Sequence, residues 1–206
     1  MHIDILSEKQ QKLLPLVEKF NVDYYLVGGT ALALYIGHRA SIDFDLFTEN
    51  NVKRKSIKNL LKRENISYTV IHEDFDQLHI LIDDVKFTFF NFPFNVKHNQ
   101  KFQDYISLPN LCDLAAMKAY ALGGRAKWKD YVDFYFLLKN HFTILEIENK
   151  AKEIFKDSFN KKLFRQQLSY FKDINFSESV TFFNETPSEH EIMQFLIEQS
   201  TTNLLY

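Results

Sequence analysis

The stretch YYLVGGTALALYIGHRASIDFDLF, Tyr24 to Phe47, limits what this chain can fold into more than any other. Only five glycines occur in 206 residues, and two stand together here at the end of an apolar run. The pattern reads as a strand over 23–27, a Gly28-Gly29 turn, a short helix over 30–36 and a second strand over 42–47. Side chains alternate along a strand, so Asp43 and Asp45 share one face while Ile42, Phe44 and Leu46 share the other. Two carboxylates so placed have α-carbons roughly 6–7 Å apart. They repel each other unless a cation lies between them.

Two readings fit these residues. A Gly-Gly after a strand is commonly only a turn, and D-x-D on an edge strand is commonly a solvated face. In the other reading the glycines let the backbone approach a phosphate, and the first amides of the Thr30 helix present the positive end of its dipole. The Thr30 hydroxyl adds a donor. Asp43 and Asp45 then hold one divalent cation on the same polyphosphate.

Leu13, Leu16, Val17 and Phe20 give residues 8–20 a helical period, which Pro15 weakens or splits. A basic helix at about 52–64 carries Lys53, Arg54, Lys55, Lys58, Lys62 and Arg63, either a solvated face or a seat for an RNA backbone. ISYTVIHE, QLHILI and VKFTFFNF read as strands, the last two joined by a hairpin turn at Asp83-Asp84. PFNVKHNQKFQDY is polar and irregular, so the boundary falls at 95–106 and gives domains 1–105 and 106–206. Beyond Pro109, helices are expected at 109–122, 128–139, 144–157, 160–170 and 188–199. The class is α+β.

Net charge is −2, which argues against a protein that coats DNA but not against an enzyme touching one RNA end. A single cysteine, Cys112, excludes an intrachain disulfide and suits a reducing compartment. The amino terminus is too polar for a signal peptide, and no apolar run reaches membrane-spanning length, so a cytoplasmic location is expected. His2, His72, His79, His98, His141 and His190 show no paired metal spacing. His38 differs in lying beside Arg39 in the turn before Asp43, and Arg39 or Ser41 is expected to orient the carboxylate strand or a phosphate. In the helix over 109–122, Lys118 falls within the stripe Leu111, Leu114, Ala115, Leu122, where a lysine either reaches out along its stem or is held inside by an anion.

An apolar residue, Gly-Gly, a gap and Asp-apolar-Asp resemble the signature of the nucleotidyltransferase superfamily. More narrowly, VGGTALALYIGHRASIDFDLF resembles the AbiEii/AbiGii toxin family. The resemblance continues through VKFTFFNFPF and DLAAMKAYALGGRAKWKDYVDFYFLL, in which Lys118, Arg125, Lys129-Asp130 and Asp133 match the later motif. It implies a nucleotidyltransferase-like mixed sheet with flanking helices, then a helical domain completing an active-site cleft.

The same resemblance implies transfer of an NMP from an NTP to an acceptor hydroxyl, an RNA such as the tRNA 3′ end, in a toxin paired with an antitoxin. Asp43 and Asp45 would hold Mg²⁺, while Gly28, Gly29 and Thr30 cradle the β- and γ-phosphates. Lys118 would meet the triphosphate, and Asp130 would orient Lys118 or take the acceptor's proton. Where many superfamily members carry a third carboxylate, the aligned residue is Thr88, so one Mg²⁺ arriving with the nucleotide is expected rather than a symmetric pair. A small-molecule acceptor, AMP transfer onto a protein and a catalytically silent NTP-binding module are the alternatives.

Overall fold

The computed structural model describes residues 1–122, 124 and 127–202. They fall into two compact units: residues 1–36 with 40–110, and residues 37–39 with 111–206. The sequence-based boundary at 105/106 cuts a hairpin, β6 (Gln100–Phe102) with β7 (Ile106–Leu108), whose second strand neighbours β1 (Tyr25–Val27).

In the first unit, α1 (Glu8–Glu18) opens with a capping box between Ser7 and Gln10. It runs unbroken through Pro15, which lies on its exposed side. β1 leads directly into α2 (Gly28–Ile36), and the chain then reaches β2 (Phe44–Thr48). After α3 (Arg54–Arg63) come β3 (Thr69–Glu73), β4 (Gln77–Ile82) and β5 (Val85–Asn91). The main sheet is ordered β1-β2-β5-β4-β3, with β2 parallel to β5 and the other neighbours antiparallel. Asp83 and Asp84 both adopt left-handed backbone, φ 49° and 65°, as a tight two-residue turn between β4 and β5 requires.

The sheet has an apolar and a mixed face. Phe44 and Leu46 of β2, Phe87 and Phe89 of β5 and Leu78 and Ile80 of β4 are fully buried on one side. The Phe89 ring meets Phe20 and Tyr24 at centroid distances of 4.9 and 5.2 Å. The alternate residues Asp45, Thr88 and His79 are half-buried on the other. Ile42, expected in the inward row, precedes β2 and is 62 % exposed, because the pleat that would turn it inward begins only at Phe44.

The second unit is helical: α4 (Leu111–Leu122), α5 (Trp128–Asn140), α6 (Ile144–Phe155), α7 (Lys161–Leu168) and α8 (Glu189–Thr201). α6 and α8 start on capping boxes, Thr143 with Glu146 and Ser188 with Glu191. Residues Gly37–Arg39, which connect α2 to β2, belong to this unit. Among the described residues no helix is long and apolar enough to cross a membrane.

Candidate active site

The glycine turn and the carboxylate strand meet within the first unit. β1 and β2 are antiparallel, with Val27 opposite Asp45, so the residue after Val27 faces the acidic strand. Gly28 has φ +73°, a conformation that side-chain-bearing residues rarely adopt. A Cβ built on it would overlap the Asp45 carboxylate oxygen and lie 3.0 Å from the carboxylate carbon. Glycine is therefore required twice over, by backbone and by space.

The Thr30 hydroxyl is buried and serves the protein itself. It hydrogen-bonds to the backbone carbonyl of Asp43 and lies 2.9 Å from the Ser41 hydroxyl. Thr30 and Ser41 thus fix the chain just ahead of β2 against the first turn of α2. Asp43 immediately precedes β2, its side chain about one-quarter exposed, and Lys86 Nζ of β5 lies 3.5 Å from its Oδ2. The parallel register places Thr88 directly beside Asp45.

Lys86 escaped the sequence reading. Its signal was present, since it stands two residues before Thr88 and so on the same face. Its meeting with Asp43 depends on β2 lying next to β5, a non-local pairing. Two half-buried carboxylates beside a glycine turn suit a hard cation whose remaining ligands are water and phosphate oxygens. Among the described residues no group of three or more His, Cys, Asp or Glu side chains could hold a metal by itself.

Arg39, Lys118 and Asp130 gather in a buried ion cluster of the second unit. Asp133, fully buried on α5, accepts from Arg39 Nε at 2.7 Å and Nη2 at 2.9 Å, and lies 2.6 Å from His38 Nε2. Lys118 Nζ stands 2.7 Å from both Asp133 Oδ2 and Asp130 Oδ1. The lysine in the apolar stripe is thus held inside by anions, and they are protein carboxylates. Burial would push the Asp133 carboxyl up, but the charges of Arg39 and Lys118 and the hydrogen bonds from His38 and Arg39 hold it well below the usual carboxylate range. Burial lowers the His38 pKa despite its bond to Asp133. Arg125, part of the motif read from sequence, lies outside the described residues.

At the start of α3 and along it, Lys53 pairs with Asp23, Arg54 and Lys58 with Glu73, and Arg63 with Glu64, while Lys55 and Lys62 are exposed. Cys112 is half-buried and its thiol is pushed up by burial, as expected of a packing residue rather than a nucleophile.

The profile described as "Nucleotidyl transferase AbiEii toxin, Type IV TA system" matches residues 16–182. The chain belongs to this family. An uncharacterized protein of Aquifex aeolicus (strain VF5), aq_aa25, is 32 % identical over 176 residues, covering 82 % of this chain and 84 % of that one. In fold the chain is similar to MenT4, a nucleotidyltransferase toxin of Mycobacterium tuberculosis H37Rv, with TM-score 0.65, 14 % identity and coverage of 94 % of this chain and 80 % of that one. JHP933 from Helicobacter pylori aligns with TM-score 0.52, 18 % identity and coverage of 95 % and 91 %. This AbiEii family member is a nucleotidyltransferase, with the mixed sheet and helices expected of that fold.

Two substitutions test the geometry. Gly28→Ala should destabilise the protein in urea by at least the ~1–2 kcal/mol of a left-handed alanine. In an Asp45→Ala background the penalty should fall toward that backbone cost alone. Asp133→Asn should cost about 3–5 kcal/mol at pH 7 by leaving buried cations uncompensated. The folded Asp133 pKa lies below its unfolded value, so its contribution is complete above about pH 4. The gap between wild type and Asp133→Asn should therefore narrow as pH falls below that point.

Proposed function

We propose that this AbiEii family member moves an NMP from an NTP onto an acceptor hydroxyl of RNA, the tRNA 3′ end, using one Mg²⁺ held by Asp43 and Asp45. The observation that carries the reading is the approach of the Gly28 backbone to the Asp45 carboxylate, possible only because that residue has no side chain. It lets an amide turn and a pair of acids address one ligand. When bound, Mg²⁺ neutralises phosphate charge and aligns the attacking and leaving oxygens.

The protein supplies the rest. The amides of Gly28, Gly29 and Thr30 bind the β- and γ-phosphates at the start of α2. Thr30 and Ser41 act by holding the backbone of Asp43 rather than by reaching the phosphates, since both hydroxyls are buried. Lys86 brings a fixed positive charge beside Asp43. With Thr88 at the neighbouring position, this charge favours one tightly bound ion over two. For Lys118, Asp130 and Arg39 the reading rests on the family resemblance; we assign them a supporting role through the ion cluster they build. A toxin of this kind implies an antitoxin.

Incubation with α-labelled NTP, Mg²⁺ and either total tRNA, protein extract or hydroxyl-bearing antibiotics should put label on the 3′ end of tRNA. Asp45→Asn should lower this at least about 100-fold, the scale of losing one group that stabilises transition-state charge. Label on protein or drug instead redirects the acceptor assignment, and no label on anything favours a silent module. Isothermal titration should find one Mg²⁺ site with nucleotide; two tight sites without it contradict the single-ion reading.

A further inference from the structure

Nucleotidyl transfer leaves one proton to be placed. As the acceptor oxygen bonds the α-phosphorus and the bond to pyrophosphate breaks, the acceptor O–H must give up its hydrogen. In the reading above, Asp43 and Asp45 are committed to a cation, and the neighbouring strand offers Thr88, whose hydroxyl is a poor base near neutral pH. The ladder does not stop at Thr88. Thr88 pairs with His79 of β4, and His79 pairs with His72 of β3, so Asp45, Thr88, His79 and His72 form one row across the sheet.

His79 is suited to the task in three respects. Its ring is half-buried on the same face as Asp45. Its Nε2 lies 3.0 Å from Gln77 Oε1, and in the tautomer in which Nε2 donates to that oxygen Nδ1 keeps its lone pair. Charged and titratable groups face it from each neighbouring strand: Lys86 of β5, His72 of β3, with rings 5.4 Å apart, and Asp45 of β2. Burial first, then Lys86 and His72, lower its pKa from the ordinary histidine value against the opposing pull of Asp45, so the ring is neutral at pH 7.

We propose that His79 Nδ1 takes the proton of the acceptor hydroxyl during nucleotidyl transfer. The inference rests on the transfer reading above. The O–H electron pair stays on the acceptor oxygen, a lone pair of that oxygen forms the new P–O bond, and the bond to the α-phosphorus breaks with its electrons on pyrophosphate. The imidazolium returns its proton to solvent after release. A histidine one ladder position beyond Thr88 thus supplies the basic group that this threonine cannot.

Two measurements on the full chain test it. Nitrogen-15 spectra of the histidine rings, recorded with Mg²⁺ and a non-hydrolysable ATP analogue, should show His79 at pH 7 with hydrogen on Nε2 and none on Nδ1. A ring protonated at pH 7, or hydrogen on Nδ1, overturns the proposal whatever the acceptor. His79→Gln should bind the Mg²⁺–nucleotide with unchanged thermal stabilisation yet transfer NMP about 100-fold more slowly. The wild-type rate should rise with pH through a value below 6.5; His79→Gln should lose that limb, and imidazole should partly restore a His79→Gly variant. A His79→Gln enzyme with wild-type rate and pH profile sinks this proposal alone. Wild-type protein that transfers nothing to any acceptor sinks the transfer reading, and this proposal with it.

Discussion

The backbone of Gly28 lies against the carboxylate of Asp45, and much of the first unit can be understood as what makes that approach possible. β1 must run antiparallel to β2 with Val27 opposite Asp45, and the chain must turn at once into α2 on a left-handed glycine. The turn is then fixed by Thr30, whose buried hydroxyl bonds the backbone of Asp43. Any side chain at position 28 would occupy the place of the acid. A surface turn beside a solvated strand has no need of such a contact, and Asp45 is half-buried rather than solvated.

Electrostatics gives the site its particular character. Two acids at the start of one strand need positive charge, and the fold supplies part of it from within through Lys86 on the adjacent parallel strand. Thr88 is neutral where a further acid would call for more. A second cluster, in the helical unit, is built on different terms: Arg39, Lys118, Asp130 and Asp133 are buried together with His38, their charges balanced inside the protein. Such groups are costly to bury and more costly to break apart. In the chain, His38 and Arg39 stand between the glycine turn and the acidic strand.

Much of this was legible in the residues. The double glycine and D-x-D are local patterns, as are the Asp83-Asp84 turn and the helical periods of α4 to α8, and local patterns survive in a single sequence. Lys118 was recognisable as a cation in an apolar stripe, but its partners were not, because Asp133 also takes His38 and Arg39 from nearly a hundred residues upstream. Lys86 and His79 could not be assigned to Asp43 and Asp45 without the sheet order, which places β5 and β4 after β2 although α3 and β3 intervene in the chain. The β6–β7 hairpin was missed because its strands are three residues long, too short for alternation to register.

The most direct measurement is a crystal structure of the protein with Mg²⁺ and a non-hydrolysable NTP. The account predicts one ion bound by both Asp43 and Asp45 at about 2.0–2.1 Å, with the outer phosphates on the amides that begin α2. A nucleotide seated away from the Gly28 turn, or an ion that leaves both carboxylates untouched, contradicts it.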